Sequence, residues 1–300
     1  MNLDQFTYDG SRKIDLFHAE TGASKDEKKK KDEYLKKTAE NIQKIALYQE
    51  KLYAEGKEGL IFVLQARDAA GKDSTIKHIM TGVNPQGVEV HGFKTPNKDE
   101  LAHDFLWRFN KVLPARGMMS ILNRSYYEDV LVVKVHALDK TYKMPARCLG
   151  EGFFERRYRH IMNYEEELYD NGYEILKVFL DVSKKKQKER FLERIDRPEK
   201  NWKFSTGDLD ERSLWDDYTK AYEEMIDNTA SKECPWYVIP SDQKWYARYL
   251  ITEILVNRFE KMDPQFPELP ESEMNRLQDA KARLLAEDAD EKKNDDKEED

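Results

Sequence analysis

Residues 60–77, LIFVLQARDAAGKDSTIK, carry an apolar run into a small-residue turn that ends in Gly71-Lys72 and opens a helical pattern. Strand, tight loop and helix N-terminus together make a phosphate cradle. First-turn N–H groups point at the ligand, the helix dipole favours negative charge there, and a lysine just inside adds a full positive charge. The stretch departs from G-x-x-x-x-G-K-[ST] at two places. Ala66 stands where the first glycine would be, and Asp73 follows the lysine where a hydroxyl is usual, with Ser74 and Thr75 one and two residues late. Candidate phosphate contacts are Arg67, Ala69, Ala70, Gly71, Lys72, Asp73, Ser74 and Thr75. The same pattern also suits an ordinary strand-to-helix turn with a solvated lysine. Asp68 is the odd residue: an acid in a loop built for anions repels the ligand unless a cation intervenes or it hydrogen-bonds the loop. That argues for Mg2+ and for chemistry.

Further candidates follow from a second apolar run, 118–125, which ends in Asn123-Arg124-Ser125 and continues into Tyr126, Tyr127, Glu128 and Asp129. An arginine at the end of a strand beside the cradle pairs with phosphate oxygens bidentately, and a carboxylate there holds Mg2+ directly or through water. Glu128 also suits a cap or a salt bridge on the following helix. A third segment, 183–228, breaks at Arg197-Pro198 and carries Arg190, Arg194, Arg197, Lys200 and Lys203. Helix, short break and helix carrying these five basic residues over a phosphate site is the composition of a closing lid, which keeps water from the donor. Trp215, Tyr218 and Tyr222 recur at helical spacing and read as core rather than as a nucleobase platform.

The elements that position these residues alternate. Helical periodicity covers 24–56, with Gly56 as stop, and strand 59–66 is apolar throughout, as a strand buried on both faces should be. Helix 72–82, strand 87–94, amphipathic helix 97–113 capped by Asn97, and strand 118–125 follow. Helix 147–172, strand 173–181, helix 183–196, helix 208–228, strand 236–241 and helix 242–261 complete the core. The order predicts an α/β fold with a parallel sheet flanked by helices and ligands beyond the strands' carboxyl ends. Residues 1–57 form an N-terminal segment with a long helix packing on a core of 58–262. Residues 263–300 form a peripheral helix and an acidic, disordered tail over 287–300.

Composition narrows the function classes. The net charge is −8, from 51 basic and 59 acidic residues, but residues 287–300 hold nine acids and three lysines and so contribute −6 of it. Residues 184–203 carry nine basic and four acidic side chains, a local +5, and residues 25–37 carry seven lysines and four acids, +3. A local basic surface on an acidic protein suits a polyanionic substrate and argues against nucleic acid as partner. Two cysteines, Cys148 and Cys234, lie 86 positions apart, and the six histidines form no ligand spacing. That excludes a disulfide framework and argues against a transition-metal centre. No long apolar run and no signal-peptide pattern occur, so no membrane span and a cytoplasmic enzyme are expected.

Five blocks in order carry a family resemblance. They are residues 65–77, residues 82–87 (GVNPQG), residues 103–108 (HDFLWR), residues 123–128, and residues 202–205 (WKFS) with 215–218 (WDDY). Together they resemble the polyphosphate kinase 2 family over roughly residues 30–262. The resemblance implies a P-loop kinase fold with a helical lid at about 183–228. It also implies reversible transfer of the terminal phosphoryl group of inorganic polyphosphate to a nucleotide with Mg2+ or Mn2+. Carried over, Asp68 and Lys72 match the cradle aspartate and lysine, Arg124 the arginine of the second motif, and Arg194 the lid arginine with Lys203 beside it. Asn123 replaces the aspartate many members carry, which shifts metal duty to Asp68 and Glu128 and resembles the subgroup taking both AMP and ADP, with guanine nucleotides as further candidates. Lys77, Lys134 and the 184–188 lysines are candidates for a polyphosphate track. A homo-oligomer, dimer or tetramer, is implied. The rival readings are an ATP-dependent nucleoside monophosphate kinase and a non-catalytic polyphosphate or nucleotide sensor.

Overall fold

The computed structural model describes the backbone of residues 3–298 and the side chains of residues 3–287. Residues Met1–Gln265 form one compact unit and Phe266–Asp300 another. In the first unit six strands make a sheet: β1 (Thr7–Tyr8), β2 (Gly59–Ala66), β3 (Val88–Gly92), β4 (Met119–Asn123), β5 (Tyr173–Asp181) and β6 (Trp236–Pro240). Their spatial order is β1-β6-β5-β2-β4-β3, with β1 antiparallel to β6 and the other pairs parallel. Parallel strands need crossover connections, and the helices in chain order are α1 (Lys25–Lys29), α2 (Lys31–Glu55), α3 (Lys72–Ile79), α4 (Trp107–Asn110), α5 (Val132–Val135) and α6 (Phe153–Asp170). They continue as α7 (Lys184–Asp196), α8 (Gly207–Ser213), α9 (Trp215–Thr229) and α10 (Lys244–Met262).

Alternation along β2 sorts the two cores. Leu60, Phe62 and Leu64 face a layer with Ile45 and Leu52 of α2 and Leu250, Ile254 and Leu255 of α10. Ile61 and Val63 face the opposite layer, with Tyr158 and Ile161 of α6 and Tyr222, Met225 and Ile226 of α9. Side-chain period two on a sheet covered on both sides produces this division. The predicted parallel sheet flanked by helices is therefore present, and the five predicted strands appear with ends shifted by two residues or fewer. Strand β1 has two residues, too short for periodicity to show.

Four helices differ most from the sequence expectation, one of them 208–228, which breaks at Leu214 into α8 and α9. The span 97–113 is a 3-10 turn, Glu100–Ala102, followed by the short α4. Asn97 Oδ1 accepts from the N–H of Asp99 and Glu100, and Asp104 Oδ1 accepts from Leu106 N–H, so local side-chain bonds compete with a continuous helix. The helix expected from residue 147 starts only at Phe153, because Gly150 and Gly152 adopt φ of 76° and 70°. The span 24–56 breaks at Lys30, where ψ turns to 12°.

In the second unit α11 spans Glu271–Glu298. Backbone helix thus occupies most of the segment expected to be disordered, whose four Glu and three Lys favour helix. Residues 299–300 of that segment lie outside the described residues. Among the described residues no helix is long and apolar enough to cross a membrane.

Candidate active site

Leu64 of β2 pairs with Asn123 of β4, and Ala66 with Leu180 of β5. The segments that leave β2 and β4 therefore run side by side off the carboxyl edge of the sheet, where doubly wound folds bind ligands. After β2 the chain forms the cradle. Gly71 closes it with φ 110°, a conformation that disfavours any side chain, and α3 starts at the next residue. The N–H of Thr75 makes the helix's first backbone bond, to Gly71 O at 3.0 Å, so the N–H groups of Lys72, Asp73 and Ser74 lead the helix. Lys72 Nζ curls back to donate to Ala66 O at 3.1 Å. Burial and the nearby Arg124 charge hold its pKa below the ordinary lysine value, against the pull of Asp68, Glu128 and Asp73.

The cradle loop is fastened from α7. Arg190 is buried, and its Nη1 donates to the carbonyls of Ala69 (2.9 Å) and Ala70 (2.7 Å), while Nη2 donates to those of Ser241 (2.7 Å) and Asp242 (3.2 Å). Gln187 Nε2 adds a bond to Asp68 O at 3.0 Å. These bonds hold Ala69 at φ 59°, an unusual value for a residue with a Cβ.

After β4, Arg124 adopts φ 66°, again left-handed and costing about 1–3 kcal/mol unless its surroundings enforce it. Its Nη2 lies 3.2 Å from Asp68 Oδ1. Glu128 sits on the 3-10 turn Tyr126–Asp129, and Gln65, with its amide turned to satisfy both neighbours, donates to Glu128 Oε1 and accepts from Ser125 Oγ, each at 3.0 Å. Burial raises the Glu128 carboxyl above the usual glutamate range, opposed by Arg124 and Lys72 and reinforced by Asp68. Asp68, Lys72, Arg124 and Glu128 are thus one electrostatic cluster at a single edge.

Asp73 and Asn123 make a second link. Asn123 Nδ2 donates to Asp73 Oδ1 at 2.9 Å, and Lys203 Nζ lies 3.5 Å from Asp73 Oδ2. An aspartate at 123 would set two carboxylates against each other, so the pair Asp73 and Asn123 belongs together. Lys203 brings the segment after α7 onto the cradle. Beside Asn123, whose carbonyl accepts from Phe93 N–H at 3.2 Å, a cleft of about 460 Å³ opens. Its walls include His91, Phe93, Lys94, Thr95, Glu100 and Arg108.

Several predicted residues lie elsewhere. Arg67 is buried away from the cradle: Nη2 donates to Thr219 Oγ1 at 2.9 Å, and its guanidinium stacks 4.3 Å from the Trp215 ring centre. Its Nε lies 3.6 Å from Asp181, whose carboxyl burial pushes up to about 6. Thr75 is buried in the core, and Ser74 Oγ donates to Gly71 O at 2.9 Å. Lys134 is ion-paired with Glu224 and lies over the Phe154 ring, which keeps it off any cradle contact. Lys77 is exposed on α3. Arg194 braces its own segment, donating to Lys203 O (3.3 Å) and pairing with Asp208 (3.5 Å).

The segment expected to form a lid, residues 183–228, is not exposed throughout. Gln187, Arg190 and Phe191 of α7 and Ala221, Tyr222, Met225 and Ile226 of α9 are buried, because amphipathic helices lay those faces on the core. The exposed part is the 3-10 helix Pro198–Lys203 with α8, carrying Trp202 at 78% exposure. Asp129 pairs with Arg157 Nε at 2.7 Å and accepts from Tyr142 OH at 2.9 Å, away from Glu128's partners.

Sequence reading missed Gln65 and gave Arg190 to a lid rather than to the loop it fastens. Gln65 does leave a signal, as the one polar side chain in the β2 run. The partners of Arg190 are backbone carbonyls, which leave none.

Among the described residues no three His, Cys, Asp or Glu side chains group closely enough to cage a metal ion. Mg2+ is commonly held by one or two carboxylates with water and substrate phosphates completing its shell, and Asp68 and Glu128 match that donor set.

Comparison with known proteins places the chain in a family. The family described as "Polyphosphate kinase 2 (PPK2)" matches residues 28–267. An ADP-polyphosphate phosphotransferase of Rhodopseudomonas palustris is 42% identical over 257 residues, covering 85% of this chain and 89% of that protein. An AMP/ADP-polyphosphate phosphotransferase of Meiothermus ruber is 46% identical over 229 residues, 76% of this chain and 82% of its own. The crystal structure of polyphosphate kinase 2 from Arthrobacter aurescens TC1 superposes with a TM-score of 0.73 at 38% identity, covering 80% of this chain and 83% of that one. Matched over residues 28–267 and by these relatives along most of their own length, this chain belongs to the polyphosphate kinase 2 family.

Proposed function

We propose that the protein transfers the terminal phosphoryl group of inorganic polyphosphate, reversibly, to AMP and ADP. Polyphosphate-dependent transfer to a nucleotide is the reaction its family membership carries. The observation that supports the assignment of residues is the meeting of Asp68, Lys72, Arg124 and Glu128 at the carboxyl edge of β2 and β4.

In this reading the first-turn N–H groups of α3 and Lys72 hold phosphate oxygens, and Arg124 spans donor and acceptor. Phosphoryl transfer needs alignment and charge neutralisation more than a protein nucleophile. Asp68 and Glu128 would hold Mg2+ or Mn2+, which supplies divalent charge to offset the repulsion between two anions. Asp68 also orients the acceptor oxygen. The cleft beside Asn123 takes the acceptor nucleotide, and Arg194 with Lys203 brings the cover down over the chain end. Adenine nucleotides are the substrates named for the Meiothermus relative, and guanine nucleotides are further acceptors to test. A cytoplasmic homo-oligomer completes the proposal, on the family resemblance, with light scattering as the test of assembly.

A single panel tests the function: AMP, ADP, GMP and GDP with polyphosphate, ATP as an alternative donor, each with and without EDTA. Product from AMP and ADP that needs polyphosphate and vanishes with EDTA is the expected outcome. Turnover with ATP and none with polyphosphate would overturn it.

A further inference from the structure

Lys177 of β5 and Glu165 of α6 are among the most buried charged groups of the fold, on the layer opposite α2 and α10. Their charges meet at 2.6 Å between Lys177 Nζ and Glu165 Oε2. Such a pair is poor value as a source of stability, since apolar residues of similar volume often do as well. What distinguishes this pair is where its remaining bonds go. Glu165 Oε1 accepts from the hydroxyls of two consecutive residues, Tyr126 at 2.8 Å and Tyr127 at 2.7 Å. Lys177 Nζ donates also to Tyr127 OH at 3.2 Å and to Thr229 O at 2.7 Å, so each of its three protons has a partner.

Tyr126 and Tyr127 open the turn that carries Glu128 and directly follow Arg124 and Ser125. Both hydroxyls stay protonated, because burial and the Glu165 charge raise them far above ordinary tyrosine. One end of the segment is fixed by β4, and the other by two rings drawn to one carboxylate oxygen. Arg124, between them, holds its left-handed φ of 66°.

We propose that Glu165 and Lys177 are positioning residues that act through Tyr126 and Tyr127 to set the placement of Arg124 and Glu128. The carboxylate fixes where both rings lie; the ammonium fixes the carboxylate. Loss of this anchor leaves the substrates bound but the reacting groups misaligned, an effect on kcat rather than on KM.

The test is the double variant Tyr126→Phe with Tyr127→Phe, which keeps ring volume and removes both hydroxyls. We expect kcat per folded molecule to fall by about 10- to 100-fold, with the KM for ADP and polyphosphate near the parent values. Tyr126→Phe alone, leaving Tyr127 and Lys177 on Glu165, gives an intermediate loss. Tyr164→Phe is the control: it removes a hydroxyl bond to Asn110 Oδ1 (2.8 Å) that does not reach the 123–128 segment, and it changes stability without changing kcat. Parental kcat in the double variant, or an equal fall in the control, would overturn the inference. It rests on the acting roles of Arg124 and Glu128. Parental turnover of Arg124→Ala would sink those roles instead, so the two failures are distinguishable.

Discussion

Arg124 Nη2 stands 3.2 Å from Asp68 Oδ1, joining the chain that leaves β4 to the loop that leaves β2. The pair is partly exposed, so its worth to stability is small, and its importance is geometric. It keeps a positive fork and a carboxylate facing one another where donor and acceptor phosphates would enter.

Removing a charge from this cluster lowers turnover and spares the fold. Lys72→Ala and Asp68→Asn should each reduce kcat by roughly 100-fold or more, as loss of an electrostatic stabiliser does elsewhere. Steady-state rates with ADP and polyphosphate, beside circular dichroism and a melting curve, check both halves of the statement.

Arg190 behaves differently. Its guanidinium serves four carbonyls, and truncation leaves buried acceptors unpaired, so Arg190→Met should cost about 2–4 kcal/mol of stability. Activity falls too, because the loop at Ala69 and Ala70 is no longer held. Arg190→Lys recovers only part, since an ammonium cannot reproduce the planar fork. Urea unfolding and initial rates decide it.

The link from Asp73 to Lys203 is insensitive to pH near neutrality. Partial burial works to raise the Asp73 pKa, but the Asn123 hydrogen bond and the Lys203 and Lys72 charges outweigh it and hold the carboxyl below its usual 3.8. A depressed carboxyl contributes while ionised, so the link persists above that value and is lost only as pH falls through the lowered one. Hydrogen exchange over residues 198–206 should be level from about pH 8 to 5 once intrinsic rates are corrected, and faster in Asp73→Ala at every pH. A step near neutral pH would show that another group governs the cover.

Lysines read alike in the sequence separate in the fold. Lys203 lies against the cradle, whereas Lys134 is paired with Glu224. Lys203→Ala is expected to raise the KM for polyphosphate several-fold and to flatten its salt dependence, and Lys134→Ala to leave both near the parent values. Titrations at two ionic strengths distinguish them.

The strands were legible because a sheet covered on both faces demands near-continuous apolar runs, and β2, β4, β5 and β6 show them. Gly71-Lys72 and Asn123-Arg124 were legible as strand-end segments whose residue types suit phosphate. Less legible were the breaks. Asn97 and Asp104 bond their own backbone, and Gly150 and Gly152 take left-handed φ, so apolar spacing alone overextended two helices. Arg67 illustrates the harder case. Its place in the cradle sequence suggested a ligand contact, yet its side chain turns to Trp215 and Thr219, which lie about 150 residues later in the chain.

The sequence by itself determined the alternation of strands and helices, the cradle and the family, because these rest on local patterns and on ordered blocks. Tertiary structure decided which charges share a site. Whether Arg190 holds a loop or a ligand, whether Lys134 is paired, and how Glu165 reaches Tyr126 and Tyr127 depend on residues distant in the chain. Packing brings them within hydrogen-bond range, and a charge acquires its role from the neighbours that packing supplies.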